Sequence, residues 1–420
     1  MSWIEASLGD LISYIGKGIA PKYTEDASSP NSVLVLGQKC VRNQKIDYSQ
    51  GRYHDKELKV IKPAKIAAKG DILINATGVG SAGRIAQIIH NPQRECVTDG
   101  HVITLRASSR INPYYLGYFI KSKQTVIEQL AEGSTGQTEM NRSRLQNEIL
   151  VTFPESDEDQ RRIAEFGLVI DKKIAQNAKL NGYLLELATT RFEQALFKSN
   201  RVVRLGDIVK LEDSKRVPLN SRDRDARKGP YPYYGATSIM DYVDDYLFDG
   251  IRVLLGEDGS VIDESGRPIL QYVWGKYWVN NHAHILAAAN DYSLEAIYIA
   301  LQRTPISHIV TGAVQRKISQ RNLNKLKLEM PDAKSLEYLQ DIFAAYRCNC
   351  EENRGLVSLR DALLPKLMSG EIDVSKIDVA QLNSHLVQRD SVRSKPVDDV
   401  FLDQSFSLRA GANICSFTCR

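Results

Sequence analysis

The sequence has no apolar run approaching the roughly 20 residues that span a bilayer, which excludes a transmembrane helix of the usual kind. Its start, Met1-Ser2-Trp3-Ile4-Glu5, lacks a basic segment followed by an apolar stretch, so no secretory signal is predicted and a cytoplasmic location is expected. Cysteine is sparse. The six present (Cys40, Cys96, Cys348, Cys350, Cys415 and Cys419) follow no disulfide or zinc spacing. Cys348 and Cys350 would lie about 200° apart around a helix, a poor pair of ligands for one metal. Reduced thiols and no metal site are expected. An excess of one charge is also missing: the formal net charge of +4 permits a polyanionic partner without demanding one.

What is present is a repeat. A chain of 420 residues, 43% hydrophobic and 25% charged, accommodates two or three ordinary domains. Ser7-Leu8-Gly9-Asp10-Leu11-Ile12 is echoed by Arg204-Leu205-Gly206-Asp207-Ile208-Val209. Lys69-Gly70-Asp71-Ile72-Leu73-Ile74 is echoed by the strand pattern Asp249–Leu255, and Val97–Ile103 by Asn280–Leu286. Gly133-Ser134-Thr135-Gly136-Gln137, running on to Pro154, matches Thr311-Gly312-Ala313-Val314-Gln315, running on to Pro331. These matches fall in one order at similar spacing, so the chain is a diverged tandem duplication.

Each closing proline is followed by a helical stretch. From about Asp157 to Lys198, the residues Ile163, Ile170, Ile174, Leu184, Leu185, Phe192 and Leu196 share one face. From about Lys334 to Ser369, Leu336, Phe343, Cys350, Val357 and Leu364 recur every seven residues, the step of a left-handed coiled coil. Each helix would be roughly 50–60 Å long. Matched in length and position, the two are predicted to pair antiparallel.

Between these anchors lie short strands and turns, including Ser32–Leu36 and Ile269–Trp274, with helical segments over Tyr114–Gln129 and Ser293–Gln302. Both units read as α+β. The second opens with Lys215, Arg216, Arg222, Arg224, Arg227 and Lys228, followed by Tyr231-Pro232-Tyr233-Tyr234-Gly235. Cations beside tyrosines suit phosphate neutralisation with base contacts; a solvated loop with its aromatics folded inward accounts for the same composition. Gln315, Arg316 and Lys317 carry donors of the type that read purine edges.

Enzyme signals fail against the repeat. Gly78-Val79-Gly80-Ser81-Ala82-Gly83 matches a dinucleotide or S-adenosylmethionine loop, but a short β-branched segment follows where a helix is required. The second copy has only Gly256-Glu257-Asp258-Gly259-Ser260 there, so a hairpin turn explains both. Asn112-Pro113-Tyr114-Tyr115 is similar to the N-P-P-[FY] loop of amino-methyltransferases but lacks the second proline, and is expected to start a helix. His101 and His284 are read as equivalent, buried and hydrogen-bonded, without a cysteine or carboxylate partner. No catalytic constellation emerges.

The pattern resembles the specificity subunit of Type I restriction–modification systems over about residues 1–375. The resemblance is carried by Tyr231-Pro232-Tyr233-Tyr234-Gly235, Tyr246-Leu247-Phe248-Asp249-Gly250, Leu255-Gly256-Glu257-Asp258-Gly259, Asn281–Leu286 and Leu363–Ile372. It implies two recognition domains in tandem (1–154 and 201–331), each followed by a spacer helix (155–200 and 332–372), the helices packed as an antiparallel coiled coil. Each domain would read one half of an asymmetric, two-part site in double-stranded DNA. The helices would set the gap and dock two methyltransferase subunits. No cofactor is expected in this chain: S-adenosylmethionine would belong to the methyltransferase, and ATP and magnesium to separate restriction subunits. A two-headed scaffold for protein or RNA is the alternative.

Candidate DNA contacts in the first unit are Lys17, Lys22, Gln38, Lys39, Asn43, Asn75, Thr77, Gly78, Ser134, Thr135, Gln137 and Thr138. In the second they are Lys215, Arg216, Tyr231, Tyr233, Tyr234, Gly235, Asp258, Gln315, Arg316 and Lys317. The chain departs from the family pattern in its polar stretch 373–420, expected to be poorly ordered.

Overall fold

The computed structural model describes residues 2–132, 139–312, 315–378, 381–382 and 384. They form two units, one from the described parts of Met1–Ala175 and Asn353–Arg420, the other from Gln176–Glu352.

In the first unit an antiparallel sheet runs in the order Ile12–Lys17, Val102–Ala107, Ile72–Asn75, Ile85–Gln87. A second sheet is ordered Cys96–Thr98, Ser32–Leu36, Arg52–Asp55, Tyr23–Thr24, its first pair parallel. The strand Ser32–Leu36 is buried throughout, as a run of consecutive apolar residues requires. Trp3–Ser7 pairs with Leu150–Pro154, and the short helix Leu8–Leu11 hangs from that pair by the bond from Leu8 N to Ile149 O (2.8 Å).

The second unit repeats this frame. Its main sheet is ordered Val209–Leu211, Ala283–Ala288, Arg252–Gly256, Leu270–Val273. Lys228–Tyr234 runs parallel to Lys276–Val279 in its second sheet. Arg201–Arg204 pairs with Lys327–Met330, and Leu205 N again reaches a carbonyl of the closing segment, Leu326 O (2.8 Å). The flanks of the second sheets differ. In the first unit Cys96–Thr98 is flanked by a single antiparallel bridge, Val97 to Ile66, whereas at the same flank Lys276–Val279 pairs with the strand Phe248–Asp249.

The Gly78–Gly83 segment joins the antiparallel strands Ile72–Asn75 and Ile85–Gln87, so it is the hairpin the repeat predicts. Asn112 caps the helix Pro113–Ser122, accepting from Tyr114 N and Tyr115 N, with Pro113 in the first helical turn.

The long helices span Asp157–Lys198 and Tyr338–Met368. Asp157, Glu158 and Asp159 place carboxylates at the first helix's positive end, and Ser156 Oγ accepts from Asp159 N (3.3 Å). In the first unit Asp171 pairs with Arg360, and Ile174 O accepts from Asn353. In the second, Asn177 bonds Glu352, and Asn181 bonds Asn349 (2.8 Å) and Tyr346 O. Numbers rise on one helix as they fall on the other, so within each unit the segments run antiparallel.

Three expectations change here. Ile163, Ile170, Ile174 and Phe192 are buried, but between Ile174 and Leu184 the inward positions belong to Asn177 and Asn181, which hydrophobic periodicity passes over. On the second helix the seven-residue step fails at Val357, which is exposed while Leu356 turns inward. The stretch from 373 onward does not begin as a separate polar tail, because Val374 is fully buried and Ile372, Ile377 and Leu382 pack on the first unit's core.

Candidate nucleic-acid interface

The strand registers align the units residue by residue. Asn75 opposes Val102 as Gly256 opposes Ala283, so Thr77 corresponds to Asp258 and His101 to His282. Both turns are pinned alike. Ala76 N bonds His101 O (2.7 Å) and Glu257 N bonds His282 O (2.8 Å); beyond them Thr77 bridges to Glu139, and Asp258 to Lys317.

In the first unit this end gathers Lys17, Gln38, Thr77 and Gly78. Gln38 Nε2 donates to the carbonyl and hydroxyl of Thr77, whose Oγ1 lies 3.0 Å from His101 Nδ1. Lys17 pairs with Glu139, holding that carboxyl below its usual range. Asn75 is buried and donates to Gln38 O, so it braces the site from within. Lys22, Lys39 and Asn43 are exposed; Lys39 lies beside Gln38, and Asn43 sits at positive φ in the turn after it. Ser134, Thr135, Gln137 and Thr138 lie outside the described residues.

In the second unit the same end carries a charge network. His284 Nδ1 contacts Asp213 Oδ2 (2.6 Å) and Nε2 contacts Ile318 O (2.8 Å), so the buried ring faces two acceptors. Asp213 also accepts from Ile285 N and Gln320. Arg216 clamps Glu257 (2.6 Å) and the Ala283 carbonyl, and Lys317 approaches Glu257 at 3.3 Å. Burial pushes the Asp213 carboxyl up, but bonds from His284 and the Ile285 amide, with the charges of His284 and Arg216, hold it below the carboxylate range. Glu257 is likewise raised by burial and lowered further by Arg216. Asp213, Glu257 and His284 have the types and spacing of a metal set, yet Arg216, Lys317 and Gln320 already engage the carboxylates. The cluster works as a buried ion-pair network.

Several expectations need correcting. His284 matches Ile103, not His101, and it does have carboxylate partners. His101 is exposed rather than buried. Tyr233 and Tyr234 lie inside because they occupy the places of the core residues Val35 and Leu36. The Tyr233 hydroxyl accepts from Leu219 N (2.9 Å), and the Tyr234 ring meets Tyr277 edge-on. Tyr231 is half-buried against Tyr246, and Gly235 is buried under Met240. The basic stretch is paired: Lys215 with Glu212, Arg224 and Lys228 with Asp241, Arg227 with Asp244. Asp258 holds His282. Gln315 and Arg316 remain exposed, and Arg316 has no ion-pair partner among the described residues.

Sequence reasoning passed over His101 and His282 as contact candidates. Their signal is an Asx residue two positions earlier: Asp99 Oδ1 and Asn280 Oδ1 each accept the histidine amide at 2.8 Å.

Among the described residues no helix is long and apolar enough to cross a membrane. The family profile described as the Type I restriction modification DNA specificity domain matches residues 2–184 and again 198–346. A Haemophilus influenzae protein named as a type I restriction enzyme specificity subunit is 30% identical over 127 residues, 30% of this chain and 32% of that one. The MjaIX specificity subunit of Methanocaldococcus jannaschii is 24% identical over 306 residues, 63% of this chain and 70% of the relative. The alignment thus spans about a third of the first relative's length and over two thirds of the second's. The fold is similar to the crystal structure of the S subunit of a Type I restriction–modification system from M. genitalium, with TM-score 0.52, 18% identity and coverage of 87% and 96% of the two chains. With both β-rich units and most of the chain matched, this protein belongs to the Type I restriction–modification DNA specificity family and carries that family's domain twice.

Proposed function

We propose that this chain is the DNA-reading subunit of a Type I restriction–modification complex, each unit reading one half of a two-part asymmetric site. The observation that carries the reading is the pair of turn ends matched in strand register and in the backbone bonds that pin them. One backbone frame presents Gln38, Thr77 and His101 in the first unit and Asp258, His282 and Arg316 in the second. Different donors and acceptors on one frame fit two different half-sites.

The chain performs no chemistry in this reading. Methyl transfer from S-adenosylmethionine belongs to two modification subunits, and ATP- and magnesium-dependent cleavage to restriction subunits. The long helices set the gap between half-sites and dock the modification subunits. An exposed apolar stripe supports docking: Leu180, Tyr183 and Leu187, at helical spacing, are 44%, 55% and 42% exposed.

Methylome sequencing of cells that carry this chain with a modification subunit tests the proposal. Adenine methylation is expected in a motif of two short elements separated by a fixed gap. A contiguous motif, or none, would sink it. Matched insertions in both helices should change the gap and leave the bases unchanged.

A further inference from the structure

His101 and His282 occupy one position in the two units, and each ring is held so that a single nitrogen is left over. The backbone amide is bound by Asp99 or Asn280, the carbonyl accepts from the turn, and Nδ1 is engaged by Thr77 (3.0 Å) or Asp258 (2.7 Å). Both side chains are exposed, and neither Nε2 has a partner among the described residues. A histidine fixed at two backbone points and one ring nitrogen loses little freedom when its last nitrogen finds a ligand, which is the economy of a preorganised contact.

The Nδ1 partners differ, and the difference sets the tautomer. Thr77 Oγ1 accepts from Gln38 Nε2, an amide orientation fixed by its second bond to Thr77 O. Among the described residues the one acceptor that the Thr77 hydroxyl meets is His101 Nδ1, and its proton is satisfied there when the neutral ring carries its own proton on Nε2. Asp258 is an acceptor only, so His282 must place its proton on Nδ1, and Nε2 of the neutral ring presents a lone pair. One histidine offers a donor outward, the other an acceptor.

We infer that His101 and His282 are specificity-determining residues of opposite polarity. His101 donates from Nε2 to a base-edge acceptor in one half-site, and His282 accepts at Nε2 from an exocyclic amino group in the other. The inference rests on the DNA-reading assignment above.

The test uses the assembled complex with modification subunits and duplexes carrying the motif that methylome sequencing identifies, at about pH 8, above the ordinary imidazole range. Bases are replaced singly by analogues lacking either a major-groove acceptor, such as 7-deazapurine, or the exocyclic amino group. One acceptor deletion in the first unit's half-site should weaken wild-type binding roughly tenfold to a hundredfold, and should have no effect on the His101→Ala complex. One amino deletion in the other half-site should behave the same way towards His282→Ala. Should an alanine variant melt early, glutamine at the same position decides. Its amide can still donate at position 101 and accept at position 282, so binding and the analogue effect should both persist, and loss of the analogue effect in a folded glutamine variant overturns the inference. Losses that add independently of either histidine, or coupling with the polarities exchanged, overturn the inference. A wild-type complex that methylates no two-part motif overturns the underlying assignment, and this inference falls with it.

Discussion

Where the first unit places Ile103, the second places His284; where the first has Ala76, the second has Glu257; and Lys17 gives way to Asp213. The bonds that anchor the turn are shared: Ala76 N to His101 O and Met140 N to Ala76 O in the first unit, Glu257 N to His282 O and Ile318 N to Glu257 O in the second, although the chain stays extended after Lys17 and turns into a short 3-10 helix at Asp213. The first unit fills the place beneath its turn with apolar side chains and lets Lys17 reach the exposed Glu139. The second fills it with carboxylates that must be matched by Arg216, His284 and Lys317. A strand ladder is indifferent to which solution lies under it. The residues at the turn can therefore diverge in charge without moving the frame that presents them.

The largest test of that contrast is His284→Ala. It strips the buried Asp213 of one of its two shortest contacts, the other being Gln320 at the same 2.6 Å, and a loss of about 3–5 kcal/mol is expected for the second unit alone. Denaturant titration gives the size, and hydrogen exchange assigns it to a unit. A loss below about 1 kcal/mol would mean that the network does not hold the turn.

Acid should separate the units next. Asp213, Glu257 and Glu212 are raised by burial yet held below the carboxylate range, Glu212 through bonds from Lys215 and Arg252. A carboxyl lowered by folding contributes stability that is fully present above its unfolded value of about 4, and loses it as pH falls through the lower folded value. In the first unit burial raises the Asp99 carboxyl, with its bond and charge interaction with His101 opposing incompletely. That group costs stability when ionised, so acid relieves it. Exchange at falling pH should open the second unit first; simultaneous opening would contradict the contrast.

These tests concern features the sequence revealed unevenly. The duplication, the hairpin at Gly78–Gly83 and both long helices were legible, because hydrophobic period and turn residues are local signals. The charge network was not. Asp213, Glu257 and His284 are far apart in sequence and meet only through strand register. The tyrosines at 233 and 234 looked like contacts because the segment is rich in cations, but burial is a property of the strand they occupy. Basic residues in sequence say nothing of the carboxylates that fold onto them, and Arg224, Arg227 and Lys228 are all paired.

Gly117→Ala sharpens the comparison at smaller cost. A Cβ there would lie 1.9 Å from Gln87 Oε1, and the buried Gln87 is tied to the carbonyls of Gly70 and Pro113. The second unit uses Tyr298 against Tyr272 at the matching places, with ring centroids 5.6 Å apart. Overpacking should cost the first unit about 1–3 kcal/mol. Adding Gln87→Ala should cost less than the sum of the two single changes, because both act on one contact. Strict additivity in thermal melts would show that the glycine is not there to make room for the glutamine.

The smallest structural effect and the clearest functional one should come from Arg316→Ala. Unlike Arg216, which is clamped on Glu257 and the Ala283 carbonyl, the Arg316 guanidinium is exposed and has no ion-pair partner among the described residues. Stability should stay within about 0.5 kcal/mol of wild type. DNA binding should weaken by about 1–3 kcal/mol if the side chain reads a base, with discrimination lost in the second unit's half-site only. If it meets a phosphate instead, affinity falls for all sequences alike and the slope of log affinity against log salt drops by about 1. Salt titrations on specific and random duplexes separate the two outcomes. Loss at both half-sites together would show that Arg316 does not belong to one unit's reading surface.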